Sequence, residues 1–169
     1  MKPSKLIIEL ERNKPVFESL LKEIPDGLTL WKPNSSTWCV LEVICHLLDE
    51  EIEDFRARTQ HALQTPNAPL NPIDPASWPK ERRYLELNYD EVLNKFLLER
   101  ETSVIWLKSL ENPKWQQAFL HPKLGAQSAA HLLANWLAHD YHHIRQINAL
   151  KRDYLKIISG DDLTYAGNW

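Results

Sequence analysis

The run HLLANWLAHDYHHIRQINAL, residues 131–150, carries two histidines four positions apart inside a helical apolar stripe. Leu132, Leu133, Trp136, Leu137, Ile144, Ile147 and Leu150 recur at the i, i+3, i+4, i+7 spacings that give an α-helix one wide apolar face. At about 100° per residue, His139 and His143 fall inside that face rather than opposite it. Side chains at i and i+4 lie one above the other, so both imidazoles can reach a single ion. Two packed histidines, each satisfied by a hydrogen bond, fit this helix equally well, and a metal site needs a further ligand from elsewhere.

Three more segments show a helical period. Leu6, Ile7, Leu10, Phe17, Leu20, Leu21 and Ile24 mark the first, from about 4 to 24, where Pro15 is expected to kink the helix or start it afresh. Asn34, Ser35, Ser36 and Thr37 are expected to cap the second, which runs from near 38 to near 62 with Leu41, Ile44, Leu48, Ile52 and Phe55 inward. Its opposite arc carries Glu42, His46, Asp49, Glu50 and Glu53. Asn88 with Glu91 resembles a capping box that opens the third, through Val92, Phe96, Leu97, Val104, Leu107 and Leu110.

Five prolines between residues 65 and 80 exclude helix or interior strand there and predict a long ordered loop that wraps the body or covers a site. Four helical patterns with one extended connection between the second and third predict an all-α, up-and-down four-helix bundle in a single domain over 1–169. No strand is needed to account for the chain.

An apolar fraction of 43% with 25% charged residues is ordinary for a globular domain. Net charge is −3, with lysine and arginine scattered, so the basic stripe of a nucleic-acid binder is missing. The N-terminal MKPSKLIIELERNK lacks the apolar core of a signal peptide and no stretch has the length of a membrane span, so the cytoplasm is the expected location. Cys39 and Cys45 fit no zinc-finger or CxxC spacing and are expected to pack as small apolar residues. Amphipathic bundles readily pair, which leaves a homodimer open, but no heptad seam specifies one.

His46 is the candidate third ligand because it lies on another long helix; the wheel puts it on the polar arc, where it reads equally as a surface histidine. TWCVLEVICHLLDEE, with Trp38, Glu42 and His46, followed by HDYHHIRQI, with His139, His143 and Gln146, resembles the DinB-like (DinB/YfiT) superfamily. The resemblance extends to RRYLELNYDE around Tyr84 and HPKLG around His121. It implies an up-and-down four-helix bundle in which His46, His139 and His143 bind one divalent metal, zinc or nickel, at an open end. Better understood members are similar to metal-dependent thiol S-transferases using bacillithiol or mycothiol, or to a mycothiol-dependent isomerase. That implies a thiol transferase or a hydrolase acting on a small electrophile, with a low-molecular-weight thiol as a candidate cofactor. A non-catalytic metal- or ligand-binding bundle is the alternative.

Asp140 and Gln146 are the candidates to hold the ligating rings, since a metal-bound histidine usually donates its other N–H to a carboxylate or carbonyl. Glu50, one turn from His46, is a candidate base or fourth ligand, although the run DEEIED reads first as a solvated face. HDYHH differs from the HExxH zinc-protease pattern by an aspartate one methylene shorter, and the chain offers one DxxH where a di-iron bundle needs two ExxH pairs. His121 beside Pro122 is placed at the site's entrance, His142 elsewhere on the wheel, and His61 and His131 have no evident partners. Trp31, Trp38, Trp106 and Trp136 are assigned to core, and Trp78 and Trp169 to covering a pocket.

Overall fold

A computed structural model describes residues 2–167; Trp169 lies outside them. Helix α1 (Pro3–Leu21) is followed by a single turn, α2 (Asp26–Thr29). The second long rod begins with α3 (Val40–Asp49), passes through a π-helical segment (Glu50–Arg56) and ends in α4 (Ala57–Gln64). Residues 65–77 hold neither helix nor strand, and the short α5 (Trp78–Glu81) leads on to α6 (Tyr89–Ser109). A hairpin of β1 (Ala118–His121) and β2 (Gly125–Ser128) precedes α7 (Ala129–Ser159). The architecture is a mostly helical bundle in which α1 packs on α6 and α7, α3 packs on α6 and α7, and α4 packs on α7.

Local chemistry sets the helix ends. Asn88 accepts from the Glu91 amide at 3.0 Å and Ser128 from the His131 amide at 3.1 Å, so each satisfies an orphan donor of a first turn. At the far end of α7, Gly160 closes the helix at φ 71°, a left-handed conformation that glycine adopts without a Cβ penalty. The second rod starts differently from expectation. Asn34 takes the Ser36 amide into a turn of its own, and the helix opens at Cys39, whose amide donates to Glu42 Oε2 at 2.9 Å. Pro15 sits inside α1 without ending it.

The expectation of a strand-free chain fails at the hairpin. Ala118 pairs with Ser128 and His121 with Gly125 in antiparallel register. Strands of four residues are too short for a two-residue alternation to stand out in sequence. Phe119 is buried from this hairpin against Ala62, Ala129 and Leu132. His121 is not at a site entrance: its Nδ1 accepts the amides of Lys123 and Leu124 and holds the turn together. Trp78 is likewise core rather than cover, buried with the Arg82 guanidinium 4.4 Å from its ring centre. Trp136 is buried and Trp31, Trp38 and Trp106 pack against the core; Cys39 and Cys45 are free and buried. Among the described residues no helix is long and apolar enough to cross a membrane.

Candidate metal centre

The second rod and α7 bring three imidazoles to one point. His46 Nε2 lies 3.1 Å from His139 Nε2, which lies 3.0 Å from His143 Nε2. His139 and His143 come from successive turns of one face, as their spacing requires, and His46 faces them from α3. His46 is therefore not a surface residue: Trp38 packs on its ring at 4.9 Å between centres, and Phe55 packs on His139 at 5.0 Å.

Burial dominates the electrostatics. Loss of water holds the His46 and His143 rings neutral down to about pH 4 and His139 to about 2; His143 further disfavours charge on His46 and His139, and His46 on His139. His143 Nδ1 stands 2.7 Å from Gln146 Oε1, an acceptor only, so the ring carries its proton on Nδ1 and turns the Nε2 lone pair toward the other histidines. His46 Nδ1 is buried without a hydrogen-bond partner, and Glu50 Oε1 is 3.8 Å away.

This donor set fits a divalent metal. Four-coordinate zinc at Zn–N distances of about 2.0–2.1 Å spaces its nitrogens roughly 3.3 Å apart. Three neutral imidazole nitrogens already separated by 3.0 and 3.1 Å along two edges are close to that triangle. Without an ion, His139 Nε2 has one proton at most to share between two neighbouring nitrogens.

The acids around the cluster are arranged differently from the expected solvated face. Glu50 and Glu51 are both buried. The π-helical segment starts here, and it sends Glu50 toward His46 while Glu51 meets Arg100 and Trp136. Burial, the Asp54 charge and a hydrogen bond with Asp54 push the Glu50 carboxyl up to about 8. Gln146 lies against the His143 ring. Asp140 is instead engaged by Arg100 at 2.6 and 2.7 Å and by Asn13 at 2.9 Å, and burial pushes its carboxyl up. His142 is exposed, with its ring edge against His143.

No motif in the sequence singles out Glu51, Arg100 or Asn13. Each nevertheless stands in an apolar stripe: Asn13 between Leu10 and Phe17, Glu51 between Leu47 and Phe55, Arg100 between Phe96 and Val104. A polar residue in the inward stripe is the signal that marked His139 and His143, and it would have found all three.

A profile of the DinB superfamily matches residues 9–147. No curated protein matches the sequence. Among solved structures, YfiT from Bacillus subtilis, described as a probable metal-dependent hydrolase with an unusual four-helix bundle topology, aligns over 89% of this chain and 86% of its own. The TM-score is 0.78 at 20% identity, a likeness of fold.

Proposed function

The chain belongs to the DinB superfamily, and from that premise we propose that it is a mononuclear metal-dependent enzyme. It acts as a hydrolase or thiol S-transferase on a small electrophile, with His46, His139 and His143 as ligands. The convergence of the three Nε2 atoms within hydrogen-bonding distance carries the reading. When bound there, a divalent ion supplies the Lewis acidity that makes a nucleophile of water or a thiol at neutral pH.

The chain's own residues supply the rest. Gln146 fixes the His143 tautomer by accepting from Nδ1. Glu50 holds its proton at neutral pH in the metal-free chain; positive charge at the histidines favours its carboxylate, which then serves as proton acceptor or as the partner that His46 Nδ1 lacks. Trp38 walls the His46 ring and Phe55 the His139 ring. The same proposal includes zinc or nickel as the ion, a low-molecular-weight thiol as co-substrate in the transferase case, an up-and-down order of the rods, a cytoplasmic homodimer, and no nucleic-acid partner.

Elemental mass spectrometry on untagged protein tests it, with His46→Ala and His139→Ala in parallel. About one zinc or nickel per chain, lost in both variants, is the expected result. Protein that takes up no ion after reconstitution overturns the reading. Ester hydrolysis and thiol-dependent transfer, assayed on the loaded chain and lost in His143→Ala, separate the two activities from each other and from non-catalytic binding.

A further inference from the structure

One cavity of about 330 Å³ lies between the second rod and the proline-rich segment, lined by Ile52 and Arg58 on one side and by Leu70, Pro72 and Ile73 on the other. Its walls are mainly apolar, and its polar corner is unusual. The Arg58 side chain is 12% exposed, with Nε 2.6 Å from Asp54 Oδ1 but without hydrogen-bond geometry. Neither Nη group donates to any of the described residues. His61, in the same lining, has a buried Nε2 with no partner. The Arg58 charge is paired with Asp54, while its Nη donors meet no acceptor among the described residues and stay open to one from outside the chain. By contrast, the other charge in the lining, Glu53, is held by Arg82 through two hydrogen bonds of 2.6 and 3.0 Å.

We propose that this cavity binds a small apolar carboxylate, seated on the Arg58 guanidinium. A guanidinium presents paired donors that match two carboxylate oxygens, and the apolar walls take the ligand's hydrocarbon body. Asp54 already balances the Arg58 charge, so a singly charged carboxylate is repelled less than a doubly charged phosphate. The pocket's ligand chemistry is independent of the metal-dependent reading.

Benzoate and its neutral isostere benzamide are titrated into the full chain by calorimetry, as purified and after chelation, while the Arg58 Nε–H resonance is followed by NMR. The expected result is saturable benzoate binding in both preparations, benzamide at least about tenfold weaker, and a shift of the Arg58 resonance. Arg58→Met should weaken benzoate about 10- to 100-fold, as the loss of charge-assisted hydrogen bonds requires, and Arg58→Lys should retain part of the affinity. Equal binding of the two compounds, absence of benzoate binding, or affinity untouched by Arg58→Met with a silent resonance overturns the proposal. Benzoate bound only by the ion-loaded chain and indifferent to Arg58 places the acceptor at the histidines; that outcome removes the pocket and leaves the metal reading standing. The wild-type isostere comparison and the resonance decide the matter even if Arg58→Met fails to fold.

Discussion

Arg100 grips both oxygens of Asp140, at 2.6 and 2.7 Å, and Asp140 is the chain neighbour of His139. The same guanidinium holds Glu51 through Nε and Nη2 at 2.9 to 3.1 Å and reaches the Leu10 carbonyl, while Trp136 Nε1 donates to Glu51 at 2.9 Å and Asn13 to Asp140. One buried cation therefore ties α1, the π-helical segment and α7 to α6, directly behind the three histidines. Asp140, whose oxygens are turned to Arg100 and Asn13, acts on the centre by fixing the backbone that presents His139.

Replacement of Arg100 should be among the most destabilising changes in the chain. Arg100→Met leaves two buried carboxylates without their cation, and loss of one partner from a buried ionic cluster costs about 3–5 kcal/mol. Urea denaturation measures this directly. The triple variant Arg100→Met, Glu51→Gln, Asp140→Asn removes the charges together and should recover most of the loss. If the single variant is as stable as the parent, the network does not brace the fold.

The pH dependence of the metal-free chain follows from two opposed sets of groups. The histidines have folded pKa values below the unfolded value, about 4 for His46 and His143 and about 2 for His139, so the unfolded chain binds more protons below pH 6.5. Their contribution is complete above pH 6.5 and is lost as pH falls toward 4. Glu50 is raised to about 8, so its contribution is complete below the unfolded carboxyl range and is lost as pH rises toward 8. Thermal stability of the chelated protein should peak near pH 7, where the three histidine contributions and the one from Glu50 balance, and decline on both sides. Glu50→Gln should remove the alkaline decline alone, and an unchanged alkaline limb in that variant would exclude Glu50 as its source.

Periodicity made the long helices legible, since each buries a stripe wide enough to register in sequence. It also made His139 and His143 legible, because their face is the one that packs. His46 was harder: the wheel alone set it on a polar arc with Glu42 and Glu50, and those acids are buried too, because that side of α3 meets other residues of the fold rather than water. Lys32 lies 2.6 Å from Glu42, and His46 lies against His139. A charged arc is exposed only if nothing packs on it, and that is tertiary information. The π-helical turn at Glu50 and the ionic cluster behind it depend on pairings separated by 40 to 127 residues, from Arg100–Asp140 to Asn13–Asp140, which no local pattern encodes. The hairpin was lost to its shortness.

Gln146 should matter to ion affinity without touching the ion. Its Oε1 takes the His143 Nδ1 proton at 2.7 Å, which sets the tautomer and raises the basicity of Nε2. Gln146→Ala should weaken zinc or nickel about 10- to 100-fold, the range typical of such outer partners, while the stoichiometry at saturation stays at one. Competition against a chromophoric chelator reads this. Unaltered affinity would mean that water replaces the amide without loss.

The last prediction separates histidines kept for an ion from histidines kept for packing. In the chelated chain the three rings are neutral and crowded, with a buried Nδ1 on His46 lacking any partner, so the cluster contributes little stability of its own. His139→Leu, which places an apolar side chain against Phe55, should therefore leave the chelated chain as stable as the parent or more so. Free ion at 100 times its dissociation constant should stabilise the parent by about 2.7 kcal/mol, and the variant by a small fraction of that, because an ion that binds only the folded state shifts the equilibrium by mass action. Paired urea melts with chelator and with buffered zinc give both numbers. If His139→Leu instead destabilises the chain equally under both conditions, the imidazoles are structural, and the close approach of their Nε2 atoms reflects hydrogen bonding within the core.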